Sequence, residues 1–151
     1  MKRALGIVFF WKGLPEGERR VSGVGFAIKS SLVTQLSEFG EIVRTTPVED
    51  KIIIMGDFNA RVGSDYKNWP ALGRHGIGKC NRNGLALLTF CTENNLAISS
   101  TYFPQKNKYK STWMHPQSKH WHLLDYVLVR QRDVKDVHSV RTSSFVPNFV
   151  W

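Results

Sequence analysis

A carboxylate and a carboxamide stand two residues apart, as Asp57 and Asn59, just beyond the apolar run Lys51-Ile52-Ile53-Ile54-Met55-Gly56. Side chains two residues apart at a strand end point into one cleft. There Asp57 could hold a hard cation or take a proton from water. Asn59 could donate to a phosphate oxygen or offer its carbonyl to a metal. The alternative is an Asx turn that closes the strand. A second acid, Asp125, lies inside the apolar run Leu123-Leu124-Asp125-Tyr126-Val127-Leu128. Burying an acid there is costly without a partner, so the run points to a pairing with histidine or metal, or else to a solvent-facing position.

Other residues invite chemistry less strongly. His115, His120 and His122 have no nearby cysteine pair, since Cys80 and Cys91 lie elsewhere, and structural zinc is not expected. Gly76-Ile77-Gly78-Lys79 lacks the spacing of a phosphate loop. Lys106, Lys108 and Lys110 interleave with Tyr102, Phe103 and Tyr109, a pattern suited either to a nucleic-acid backbone or to a solvated loop. Arg130, Arg132 and Lys135 are expected on a solvated surface.

The elements that must position these residues are legible in outline. Leu5–Trp11 and Val21–Ile28 read as strands around a turn at Gly13 to Glu18. Ser31 to Val43 has helical spacing of Leu32, Val33, Leu36, Phe39, Ile42 and Val43, interrupted by Gly40. Lys51 to Met55 reads as a strand buried on both faces. A loop from Gly73 to Gly84 leads to a helix at Gly84 to Asn94, capped by Asn81 or Asn83, with Leu87, Leu88 and Cys91 as its apolar face. Leu96–Phe103 and Leu123–Arg130 read as strands. The alternation predicts a layered α/β or α+β domain.

Bulk properties set the frame. A chain of 151 residues with 42% hydrophobic content is long enough for one cored domain. The apolar stretch Ala4 to Trp11 is too short to span a bilayer and has no small-residue cleavage site after it. A non-secreted protein, nuclear or cytoplasmic, follows as the expectation, with two cysteines in a reducing compartment. The formal net charge of +9 favours polyanionic partners, chiefly nucleic acid.

Ile54-Met55-Gly56-Asp57-Phe58-Asn59, then Thr112-Trp113, then Leu124-Asp125-Tyr126-Val127-Leu128 together resemble the endonuclease/exonuclease/phosphatase superfamily. Within it, the chain is similar to the apurinic/apyrimidinic-like endonuclease domain of RTE-type LINE retrotransposons. His75-Gly76-Ile77-Gly78-Lys79-Cys80-Asn81, Trp113-Met114-His115-Pro116 and Gly23-Val24-Gly25-Phe26-Ala27-Ile28 extend the match, best over residues 21–137. The resemblance implies a single domain over 1–151 built as part of a four-layer α/β/β/α sandwich of the DNase I type.

It further implies Mg²⁺ as cofactor, held near Asp57 and Asn59, and DNA as substrate. Asp57 would orient or deprotonate the attacking water, Asn59 would position the scissile phosphate, and Thr112 would contact phosphate. Asp125 would orient a catalytic histidine. The family pattern also carries a metal-binding Glu, a Tyr-Ala-Pro-like strand and a closing Asp-His pair. No segment here matches them: Ser30 to Leu36 runs almost directly to the segment before Lys51, and the chain closes on Ser143 to Trp151. The expectation is therefore a truncated, catalytically impaired, monomeric phosphodiesterase relative. The other readings are a non-catalytic nucleic-acid-binding module and a non-functional retrotransposon-derived fragment.

Overall fold

The computed structural model describes residues 6–11, 23–28, 32–104, 113–114, 121–122, 125–142 and 147–150, with side chains described for 36–104 and 125–140. The elements run β1 (Gly6–Trp11), β2 (Gly23–Ile28), α1 (Leu32–Thr45), β3 (Ile52–Asp57), α2 (Arg82–Glu93) and β4 (Leu96–Ile98). They continue as β5 (Trp113–Met114), β6 (Trp121–His122), β7 (Asp125–Arg130), β8 (Ser139–Thr142) and β9 (Pro147–Val150). Five strands form one antiparallel sheet in the order β2-β1-β3-β7-β4. β5–β6 and β8–β9 form two-stranded sheets of their own.

The alternation of β3 and β7 divides the core between the two faces of the large sheet. Ile52 and Ile54 of β3 join Tyr126 and Leu128 of β7 on one face, where they pack against α1 and α2. Leu36, Phe39 and Val43 supply the buried face of α1, and Leu87, Leu88, Phe90 and Cys91 that of α2. On the opposite face Val127 and Val129 of β7 cluster with Ala97, Val137 and the buried Val140 of β8, with Ile53 and Met55 of β3 partly buried against them. A helix layer, a central sheet and further β structure behind it agree with the expected α/β class.

Gly40 does not interrupt α1. A Cβ there would meet the Phe90 ring at an ordinary 3.7 Å and the flexible Arg44 guanidinium at 3.2 Å, so the position faces α2 without strain. The strand expected over Leu96–Phe103 is shorter, and the reason is hydrogen bonding. After Ile98 the chain tightens into a 3-10 turn, Ser99–Thr101. Ser99 Oγ donates to the Val127 carbonyl at 2.7 Å, and Ser100 Oγ accepts from the Val127 N–H at 3.1 Å. Two hydroxyls thus take the place of the strand ladder.

Arg132 and Lys135 are exposed, as expected, whereas Arg130 is half-buried, and both arginines also carry hydrogen bonds. Arg130 donates to the carbonyls of Asp50, Thr46 and Pro47, and Arg132 donates to that of Asp50. They brace the segment between α1 and β3, whose carbonyls lack strand or helix partners. Among the described residues no helix is long and apolar enough to cross a membrane. The turn at Gly13 to Glu18, the basic stretch Gln105 to Lys110, and His115 and His120 lie outside the described residues.

Candidate active site

Asp57 is the last residue of β3 rather than the first beyond it, and Asp125 is the first residue of β7. The antiparallel register makes them partners: Ile54 faces Leu128, Gly56 faces Tyr126, and Asp57 faces Asp125. Side-chain parity places both acids on the sheet face of Met55 and Val127, away from the helices. The two acids thus share one end and one face of the sheet, where a cation or a proton could be taken up. Partial burial pushes the Asp57 carboxyl above its ordinary value near 3.8, opposed by the hydrogen bond it accepts from the Asn59 N–H.

That bond, Asn59 N to Asp57 Oδ1 at 2.8 Å, is an Asx turn. The turn and the functional reading are therefore compatible, because one hydrogen bond aims the carboxylate and exposes Asn59. Asn59 takes a left-handed backbone at φ 48°, a region open to asparagine.

The next backbone groups are held one after another. Asn83 Nδ2 donates to the Asn59 carbonyl at 3.1 Å, and the buried Tyr126 hydroxyl donates to the Ala60 carbonyl at 3.1 Å. Asn81 Oδ1 accepts from the Arg61 N–H at 2.9 Å and from the Gly84 N–H at 2.7 Å, while the Asn81 N–H donates to the Arg61 carbonyl. Asn81 is thus the N-cap of α2 and also its tie to the loop after Asn59. A Cβ on Gly84 would run into the Arg61 carbonyl, so only glycine permits this approach. Phe58 anchors the turn from below, edge-on to Phe39 and tilted against Tyr126.

Sequence reasoning offered Asn81 and Asn83 as alternative caps and did not see that both are used, one for the helix and one for Asn59. The signal was present, since a helix start needs one cap and Asn81-Arg82-Asn83-Gly84 supplies two candidates. Tyr126 was not singled out either. Asp57 and Asn59 are brought together with Asp125, whereas Thr112 lies outside the described residues.

The donor set offered by Asp57 and Asn59 is all oxygen, with carboxylate and amide carbonyl, which suits Mg²⁺ and not zinc. Among the described residues no cluster of three or more His, Cys, Asp or Glu is placed to hold a metal ion. Mg²⁺ commonly keeps several waters and uses one or two carboxylates, so the donors fit it in kind. Cations recur along the segment that follows the turn: Arg61 comes directly after it, the loop returning to Asn81 carries the exposed Arg74 and Lys79, and the exposed Arg82 opens α2. Arg74 lies over the Tyr66 ring at 5.9 Å from its centroid.

The chain is similar to craniofacial development protein 2 of Bos taurus, with 36% identity over 120 residues, 72% of this chain and 20% of that protein. It is homologous to a segment of that protein. The same protein of Tragulus javanicus matches at 36% identity over 120 residues, 72% of this chain and 21% of the relative. The chain thus spans about one fifth of the length of these curated craniofacial development proteins. No family model matches the chain, and no solved structure does.

Proposed function

We propose that this chain carries part of the active site of a Mg²⁺-dependent phosphodiesterase of the endonuclease/exonuclease/phosphatase type, acting on DNA and akin to the RTE-type LINE endonucleases. The observation that carries the reading is the register pairing of Asp57 with Asp125 at one sheet end, beside a clamped Asn59. Residues distant in sequence meet where the resemblance places the chemistry. Homology to craniofacial development protein 2 supports the same reading.

In this proposal Asp57 and Asn59 would hold Mg²⁺, which when bound would neutralise charge on the phosphate and the leaving oxygen. Asp57 accepts a proton as water attacks phosphorus, and the P–O bond to the departing sugar oxygen breaks. Asn59 donates its amide to a phosphate oxygen. By the family pattern Asp125 would accept from a histidine and hold its tautomer, a partner that no matched residue of this chain supplies. Thr112 contacts the phosphate. The Glu, Tyr and Asp-His groups of the family pattern have no matched residues in this chain, so its own hydrolysis is expected to be slow.

The test is Mg²⁺-dependent nicking of supercoiled and abasic-site DNA by the purified chain, with Asp57→Ala beside it. The expected result is weak nicking that needs Mg²⁺ and falls by about a hundredfold or more in the variant. Equal nicking by the variant would overturn the role of Asp57. The net charge of +9 favours a second reading, a non-catalytic nucleic-acid-binding module. Salt-sensitive DNA binding by a cooperatively folded chain, with no nicking, would select it. A chain without cooperative unfolding would select the retrotransposon-derived relic instead.

A further inference from the structure

The turn that presents Asp57 and Asn59 is held by three side chains, and their other duties differ. Tyr126 is buried in the main core, and Asn81 caps α2. Asn83 is half-buried in the first turn of α2, and its amide reaches out of the helix to the Asn59 carbonyl at 3.1 Å. Asn83 is therefore the member of the trio whose described side-chain bond serves the turn alone.

The bond acts on a conformation that asparagine can adopt but does not hold by itself. At φ 48° Asn59 lies in the left-handed region, open to asparagine as one conformation among several, so its hydrogen bonds select the turn. The Asn59 N–H is fixed to Asp57 Oδ1, and the Asn59 carbonyl is fixed to Asn83. One peptide unit is thus pinned at each end of the residue, once by the carboxylate it orients and once by α2. Without Asn83 the Asn59 carbonyl could swing, and the aim of the Asp57 carboxylate and the Asn59 amide would loosen with it.

We infer that Asn83 is a positioning residue for the Asp57–Asn59 pair, transmitting the rigidity of the α2 N-terminus to the groups that meet a divalent cation and a phosphate. The inference rests on the phosphodiesterase reading for the identity of those ligands, but the positioning itself is independent of it. Outer residues that orient metal ligands commonly contribute ten- to hundredfold to metal affinity, and Asn83 is hydrogen-bonded to the backbone of the residue whose side chain would bind.

The experiment uses the whole 151-residue chain with Asn83→Ala and Asn83→Gln, and Mn²⁺ as the probe cation. Two spectroscopic readouts are taken by NMR: hydrogen exchange of the Asn59 amide without metal, and Mn²⁺ broadening of the Asp57 to Ala60 amides. Asn83→Ala is expected to speed Asn59 exchange and weaken Mn²⁺ binding about tenfold each, with a nearly unchanged unfolding temperature. Asn83→Gln, which keeps the donor, is expected to recover part of both. Unchanged Asn59 exchange in Asn83→Ala would overturn the inference. Wild-type protein that shows no broadening at these amides would overturn the metal-binding reading instead, while the exchange comparison still decides the role of Asn83. A uniform loss of protection with a lowered unfolding temperature would mean that Asn83 serves only the stability of the fold, and the inference would fail.

Discussion

Asp57 is held at an energetic cost to the fold. Its carboxyl is half-buried, sits opposite Asp125, and is pushed above the ordinary aspartate value chiefly by desolvation. A group whose folded pKa exceeds its unfolded one binds its proton more tightly when folded. Stability is therefore higher at low pH and falls as pH rises from about the unfolded value through the folded one. Asp57→Asn keeps an acceptor for the Asn59 N–H and removes the charge. The variant is expected to be more stable than wild type at neutral pH, while losing any Mg²⁺-dependent activity. Urea unfolding at several pH values checks this: the stability gap should close as pH falls toward the ordinary aspartate value. A gap independent of pH would mean that the charge of Asp57 is not the cause.

At the scale of elements, α2 does two jobs at its N-terminus. Asn81 satisfies one of the orphan N–H groups of the helix through Gly84 and also holds the Arg61 backbone. Loss of a cap alone costs about 0.5–2 kcal/mol, and Asn81→Ala also strips a partner from the Arg61 N–H. Denaturant unfolding should show a loss at or above the top of that range. Gly84→Ala should be worse than helix propensity would suggest, since alanine is the better helix former but its methyl meets the Arg61 carbonyl. A neutral or stabilising Gly84→Ala would show that the loop yields easily and that the close approach is not what places Asn59. The element pattern was largely legible from periodicity. The end of β4 was not, because Ser99 and Ser100 end the ladder by binding Val127 themselves, and no period in the sequence announces that.

At the scale of the molecule, charge and site meet on the loops around the turn. Arg61 lies two residues after Asn59, and the exposed Arg74, Lys79 and Arg82 lie on the loop and helix start that follow, while Arg130 and Arg132 are spent on the carbonyls of the α1–β3 segment. Part of the basic composition is thus structural, and net charge overstates the number of cations available to a polyanion. If roughly four cations meet phosphates, DNA affinity should fall about a hundredfold between 50 and 200 mM salt. Lys79→Ala with Arg82→Ala should lower the slope of log affinity against log salt by about two. An unchanged slope in fluorescence-anisotropy titrations would move the nucleic-acid surface away from the Asn59 loop.

The sequence by itself determined the apolar periods of α1, α2, β3 and β7, the identity of Asp57, Asn59 and Asp125 as chemically capable residues, and the excess of positive charge. Those properties are local, and a hydrophobic period or a residue type is visible wherever it occurs. Only the tertiary structure decided that Asp57 and Asp125 are register partners, that Asn83 and Tyr126 seize consecutive carbonyls of the Asn59 turn, and that Arg130 is a brace. Each of these joins residues far apart along the chain, and strand register and loop docking follow from how both faces of the sheet are filled. That filling is a collective outcome of packing, which single positions in the sequence do not display.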